Sequence, residues 1–91
     1  MAKLNSEQAD TFAKDLKSYI GDTTEECSCE VNVVDGGNGA SGIEVVPGAM
    51  NTSGSIYHME EVVDFCRGRH LNFWVGARES GGYPYAFVHI Y

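Results

Sequence analysis

The residues of this sequence best suited to chemistry are Cys27, Cys29 and Cys66, the histidines His58, His70 and His89, and a set of acids that outnumber the bases. Cys27, Cys29, Cys66 and His70 together make a possible Cys3His zinc set, since thiolate and imidazole are the ligands tetrahedral zinc takes. On a strand the two cysteines of Cys27-Ser28-Cys29 point the same way, toward a helix carrying Cys66. Against zinc, C-x-C is not the C-x2-C knuckle, and a free cysteine commonly packs as a small hydrophobe. A nucleophilic pair of Cys66 with His58 or His70 meets a related objection. Cys66 falls on the apolar stripe of its helix, where burial disfavours the thiolate.

Gly37, Gly39 and Gly42 spell G-x-G-x-x-G. A dinucleotide site needs a helix after such glycines, so that its first amides face the pyrophosphate. Residues 43–46 read as strand instead, and Asp35 beside the loop repels phosphate. No pair of carboxylates marks a cleft. The expectation is a protein with no catalytic residue, no cofactor and no metal.

Charge is more informative. Thirteen acids face six bases, for a net charge of −7. Between Lys17 and Arg67 there is no base, while Asp22, Glu25, Glu26, Glu30, Asp35, Glu44, Glu60, Glu61 and Asp64 all fall there. Direct nucleic-acid binding needs cations to displace phosphate counterions, so it is disfavoured. The balance suits a basic protein surface, including that of a nucleic-acid-binding protein; the bland alternative is a solvated face that keeps a small protein soluble.

These residues need a scaffold. The 91 residues suffice for one domain spanning 1–91, and 43% hydrophobic with 21% charged residues is ordinary globular composition. No apolar run approaches the ~18 residues of a membrane span, and the first residues lack a secretory pattern, so the cytoplasm is expected. An odd cysteine count then points to reduced thiols.

Asn5 and Gln8 have the spacing of a capping box, and Ala9, Phe12, Ala13, Leu16 and Ile20 recur at helical period, predicting a helix over 6–20 stopped by Gly21. Alternation of Cys27, Cys29, Val31 and Val33 predicts a strand over 27–33, and four glycines predict a loop over 35–42. A second strand covers 42–46, and a loop covers 49–54. Ser55 then caps a helix over 56–67, with Ile56 near its start, Met59, Val62, Val63 and Cys66 as its stripe, and Gly68 as its stop. A third strand covers 71–78, residues 79–82 turn, and a fourth strand covers 83–91. The economical packing is α+β: a two-layer αββαββ domain, a four-stranded antiparallel sheet with two helices on one face.

Two helices leave the other sheet face open. Placing Ala86, Val88 and Ile90 under the helices turns Tyr85, Phe87, His89 and Tyr91 outward, with Trp74 joining them from the third strand. A register change of one residue would instead bury these aromatics. Glu30 and Glu44 belong to the same open face, and Glu60, Glu61 and Asp64 to the outer side of the second helix. Exposed aromatic clusters mark interfaces. An aromatic sheet also suits RNA, but that use needs a basic surround absent here.

Small size, acidity, the lack of a catalytic motif and compact αβ content make the chain similar, in a general way, to the small acidic proteins that phages and mobile elements use against host defences, including anti-CRISPR proteins. No single motif carries that resemblance. It implies a non-enzymatic inhibitor or adaptor that occupies a larger, basic-surfaced macromolecule. The alternatives are a homodimer joined through its open sheet faces or its last strand edge to edge, and a small zinc- or thiol-dependent protein.

Overall fold

A computed structural model describes residues 4–20, 29–37, 39–48, 56 and 58–91. The elements run α1 (Ser6–Tyr19), β1 (Cys29–Gly37), β2 (Ala40–Pro47), α2 (Met59–Gly68), β3 (Phe73–Ser80) and β4 (Tyr83–Ile90). The four strands form one antiparallel sheet in the order β1-β2-β4-β3. The α+β class and the αββαββ order expected from the sequence are therefore both present.

Local chemistry explains most boundaries. Asn5 Oδ1 accepts from the Gln8 amide at 2.8 Å and Gln8 Oε1 accepts from the Asn5 amide at 3.0 Å, completing the capping box at the start of α1. Ala9, Ala13 and Leu16 face inward at helical spacing. At the far end of α2 the expected stop was Gly68. Gly68 is instead the last helical residue, and His70 takes the left-handed conformation at φ 55°. The Leu71 amide donates to Cys66 O at 2.9 Å and the His70 amide to Arg67 O at 3.3 Å, the two bonds of a Schellman stop. The N-cap is His58, whose side chain makes no capping bond; Ser55, the expected cap, lies outside the described residues.

The glycine-rich segment is mostly strand rather than loop. β1 continues to Gly37 and β2 begins at Ala40, with a bulge between Asp35 and Gly37. Gly37 and Gly39 hold φ of 81° and 76°, which tightens the reversal to a few residues. The second hairpin turns at Gly81 and Gly82, both at positive φ, as a two-residue turn requires. The expected connector at 22–26, the stop at Gly21, the loop at 49–54 and Cys27 all lie outside the described residues.

One core holds the layers together. Leu4, Ala9, Ala13, Leu16 and Ile20 meet Cys29, Val31, Ile43, Val45, Val88 and Ile90 of the sheet and Val62, Phe65 and Cys66 of α2. Each large side chain so enclosed contributes about 1.5–3 kcal/mol of hydrophobic stabilisation. The expected stripe on α2 omits Phe65, which is fully buried, and includes Val63, which is only half-buried. The Phe65 ring lies edge-on to Tyr19 with centroids 5.7 Å apart, and the Arg69 guanidinium carbon sits 3.9 Å above it. That stack ties the end of α1 to α2.

β2 and β4, the equivalent strands of the two αββ units, pair antiparallel at the centre of the sheet. Such a pairing has the form of a two-fold axis normal to the sheet. It returns both helices to the same side, which is why one face is left open. No helix among the described residues is long and apolar enough to cross a membrane.

Candidate protein-binding face

Cross-strand partners in an antiparallel sheet share a face, so the register defines the open side. Asn32 pairs with Glu44, Glu44 with His89, and His89 with Trp74, forming one row across all four strands. The next rows place Glu30 beside Val46, Gly76 beside Phe87, and Arg78 beside Tyr85. Trp74, Tyr85, Phe87 and His89 thus lie together on the side away from the helices, with Tyr91 extending β4 and stacking on His89 at 5.8 Å. The alternative register, with these aromatics in the main core, does not occur.

Two glycines let the face close up. A Cβ at Gly76 would lie 2.7 Å from Trp74 Cζ3 and 2.8 Å from Phe87 Cζ. The two rings cover the bare backbone there, with centroids 5.0 Å apart in an edge-to-face contact. A Cβ at Gly42 would lie 2.9 Å from Ile90 O and 3.2 Å from His89 Cε1, so His89 lies over that glycine.

This packing corrects one expectation. Phe87 is on the predicted side but is only 2% exposed. Trp74 covers one edge, and the Arg78 guanidinium carbon sits 4.0 Å above the ring. Phe87 supports the face and is not available for contact. Trp74 and Tyr91 are about half exposed, Tyr83 at the turn is more so, and Tyr85 and His89 are half-buried.

Glu44 is corrected as well. Arg78 Nη1 donates to Glu44 Oε1 at 2.8 Å and Nη2 to Oε2 at 2.6 Å, a bidentate pair reaching from β3 to β2 across β4. The Arg78 hydrogen bonds hold the Glu44 carboxyl below its ordinary range despite some desolvation, and the same contact holds the Arg78 proton more firmly. His89 Nδ1 lies 3.5 Å from the same carboxylate. Glu44 therefore fixes Arg78 over Phe87 instead of offering free charge. Sequence patterning had no signal for Arg78, the residue that organises this face.

The other predicted carboxylates divide between two sides. Glu30 is exposed on the open face, whereas Glu60, Glu61 and Asp64 are exposed on α2, on the helical side. None of the four forms an ion pair with a described residue. Along its shortest axis the molecule extends 19 Å, about twice the ~8 Å screening length at physiological salt. The α2 acids thus act on the open face only as a distant field.

Beside the aromatic row a shallow groove of about 310 Å³ is lined by Gly36, Ala40, Ser41, Trp74, His89 and Tyr91. Cys29 and Cys66 are enclosed in the main core, and burial raises both thiols, that of Cys66 to about 11. His70 is exposed at the stop of α2. Among the described residues no three potential ligands come together to hold a metal ion; Cys27 lies outside them. Gly37, Gly39 and Gly42 lie within the β1–β2 hairpin and precede no helix, so they form no phosphate cradle.

Fold and site together define a two-layer α+β protein with an aromatic sheet face that neither described helix covers. No family model, no curated protein and no solved structure matches the chain.

Proposed function

We propose that this chain is a non-enzymatic binding protein, an inhibitor or adaptor that docks its open sheet face on a larger protein with a basic surface; an anti-defence protein is one kind of such inhibitor. One observation carries the reading. Trp74, Tyr85, His89 and Tyr91 are gathered on the sheet face that neither described helix covers, over a support of Phe87, Arg78 and Glu44. Tyrosine and tryptophan add large contact area at low entropic cost, and such residues dominate binding energy where they cluster. The net charge of −7 selects for a basic partner. Glu60, Glu61 and Asp64 speed the approach of that partner from the far side, and the aromatic face makes the contact.

The test is capture of partner from the native host by immobilised protein at low and high salt. Trp74→Ala with Tyr91→Ala weakens capture at both salts, by ~30-fold for each residue contributing about 2 kcal/mol. Reversing Glu60, Glu61 and Asp64 to Lys weakens capture at low salt only. Capture indifferent to the aromatic substitutions, in protein that keeps its circular dichroism, overturns the proposal.

A further inference from the structure

The last strand does not form an edge. β4 lies between β2 and β3, so the expected pairing of last strands edge to edge is excluded. The two edges are β1 and β3, and they differ. β1 carries Glu30 and Asp35 and ends in a bulge, which are the devices that keep a sheet edge from pairing. β3 has no bulge in its register with β4 and no proline, and its only charges, Arg78 and Glu79, lie next to the turn. Trp74 on the open face and Val75 on the helical face are each 49% exposed. Among the described residues no strand pairs with this edge, and its run from Phe73 to Ala77 carries no charge, so it is a template for another strand.

We propose that β3 pairs antiparallel with β3 of a second copy of this chain, joining two sheets into one of eight strands. The hydrogen-bond pattern permits it. Ser80 and Tyr83 flank the two-residue turn, so Ser80, Arg78, Gly76 and Trp74 direct their backbone groups toward β4. Phe73, Val75, Ala77 and Glu79 direct theirs to the free edge, and all four can donate. Of the two-fold pairings, those centred on Gly76 or on Ala77 keep the longest ladders. Centring on Ala77 sets Val75 opposite Glu79 of the other copy and leaves Trp74 opposite Ser80. Centring on Gly76 sets Val75 opposite Ala77 and Trp74 opposite Arg78, twice each by symmetry.

The Gly76 register covers Val75 on the helical face and flanks Trp74 on the open face, leaving the outer side of the indole free. It also sets each Trp74 opposite the other copy's Arg78, whose guanidinium points back over Phe87 to Glu44, so the indole meets the aliphatic stem of that arginine. This self-complementarity selects a second copy as the occupant over an unrelated strand. The assembly presents two aromatic faces side by side, which would give the protein two-point attachment to a repeated surface.

Sedimentation and light scattering of the full chain test the proposal. The expected mass is twice the 9.9 kDa of the chain. Val75→Lys puts two cations at the join, and Ala77→Pro removes an edge donor; each returns the mass to that of one chain with its circular dichroism retained. With Val75→Cys and Ala77→Cys combined, oxidation cross-links copies in the Gly76 register, whereas Ala77→Cys alone, which would cross-link the Ala77 register, leaves them separate. Wild-type protein that stays a single chain at hundreds of micromolar overturns the proposal, as does a dimer untouched by both substitutions. Neither result bears on capture of a foreign protein by the aromatic face.

Discussion

Substituting Gly76 by alanine probes how the open face is built. The backbone itself tolerates alanine, because Gly76 is not at positive φ. The added methyl would lie 2.7 to 2.9 Å from carbons of Trp74 and Phe87, far inside ordinary contact. Trp74 is half exposed and can swing outward, but Phe87 is pinned between the indole and the Arg78 guanidinium. Overpacking of this kind costs about 1–3 kcal/mol. Alanine recovers ~0.5–1 kcal/mol by restricting the unfolded chain. The net loss is about 0–2.5 kcal/mol, centred a little above 1. At ~2.1 cal/mol/K per residue, a domain of this length loses about 5 °C in Tm per kcal/mol, so the expected drop is ~6 °C. Trp74 is the sole tryptophan, and its emission shifts to the red as the ring leaves Phe87. Thermal denaturation followed by circular dichroism and fluorescence reads both effects. A Tm at or above wild type with unchanged emission would refute the packing argument.

Glu44→Gln tests the ion pair through pH. The carboxyl titrates below its ordinary value of 4.5 in the folded protein, so the pair stabilises fully above that pH and loses its contribution as pH falls through the lowered value. The Tm gap between wild type and Glu44→Gln therefore narrows as pH is taken from 6 toward 2; a constant gap contradicts it. His70→Gly relieves the left-handed stop of α2 and raises stability by about 0.5–1 kcal/mol, read as a higher Tm. Cys29 and Cys66, raised by burial, resist iodoacetamide at pH 8 in the folded protein and react on denaturation, as intact-mass spectrometry would follow.

Alternation along β4 is what made the open face legible from sequence. Val88 and Ile90 repeat at period two, and so do Phe87 and His89, so one set had to oppose the other. The capping residues Asn5 and Gln8 located α1 in the same local way. What escaped reading was non-local or rested on an absent side chain. Arg78 and Glu44 are 34 residues apart and meet only because the sheet order brings β2 and β3 to either side of β4. Phe87 is covered because Gly76 lacks a Cβ, and no hydrophobic period records that gap. Gly68 attracted the helix stop by residue type, but the bonds to Cys66 and Arg67 place it at His70, which takes the left-handed conformation while exposed. The glycines at 36–39 suggested a loose loop, yet two of them are the turn and the bulge of a hairpin.

The central join of the sheet is short: β2 and β4 pair only through Ile43–Val45 and Val88–Ile90. Each half keeps its own helix and hairpin, and the halves meet through that brief ladder and the shared core. The protein is accordingly built like a clasp. A chain opened between Pro47 and Met59 would yield two fragments, each marginal alone, that knit together by adding one short ladder and closing the apolar layer beneath it.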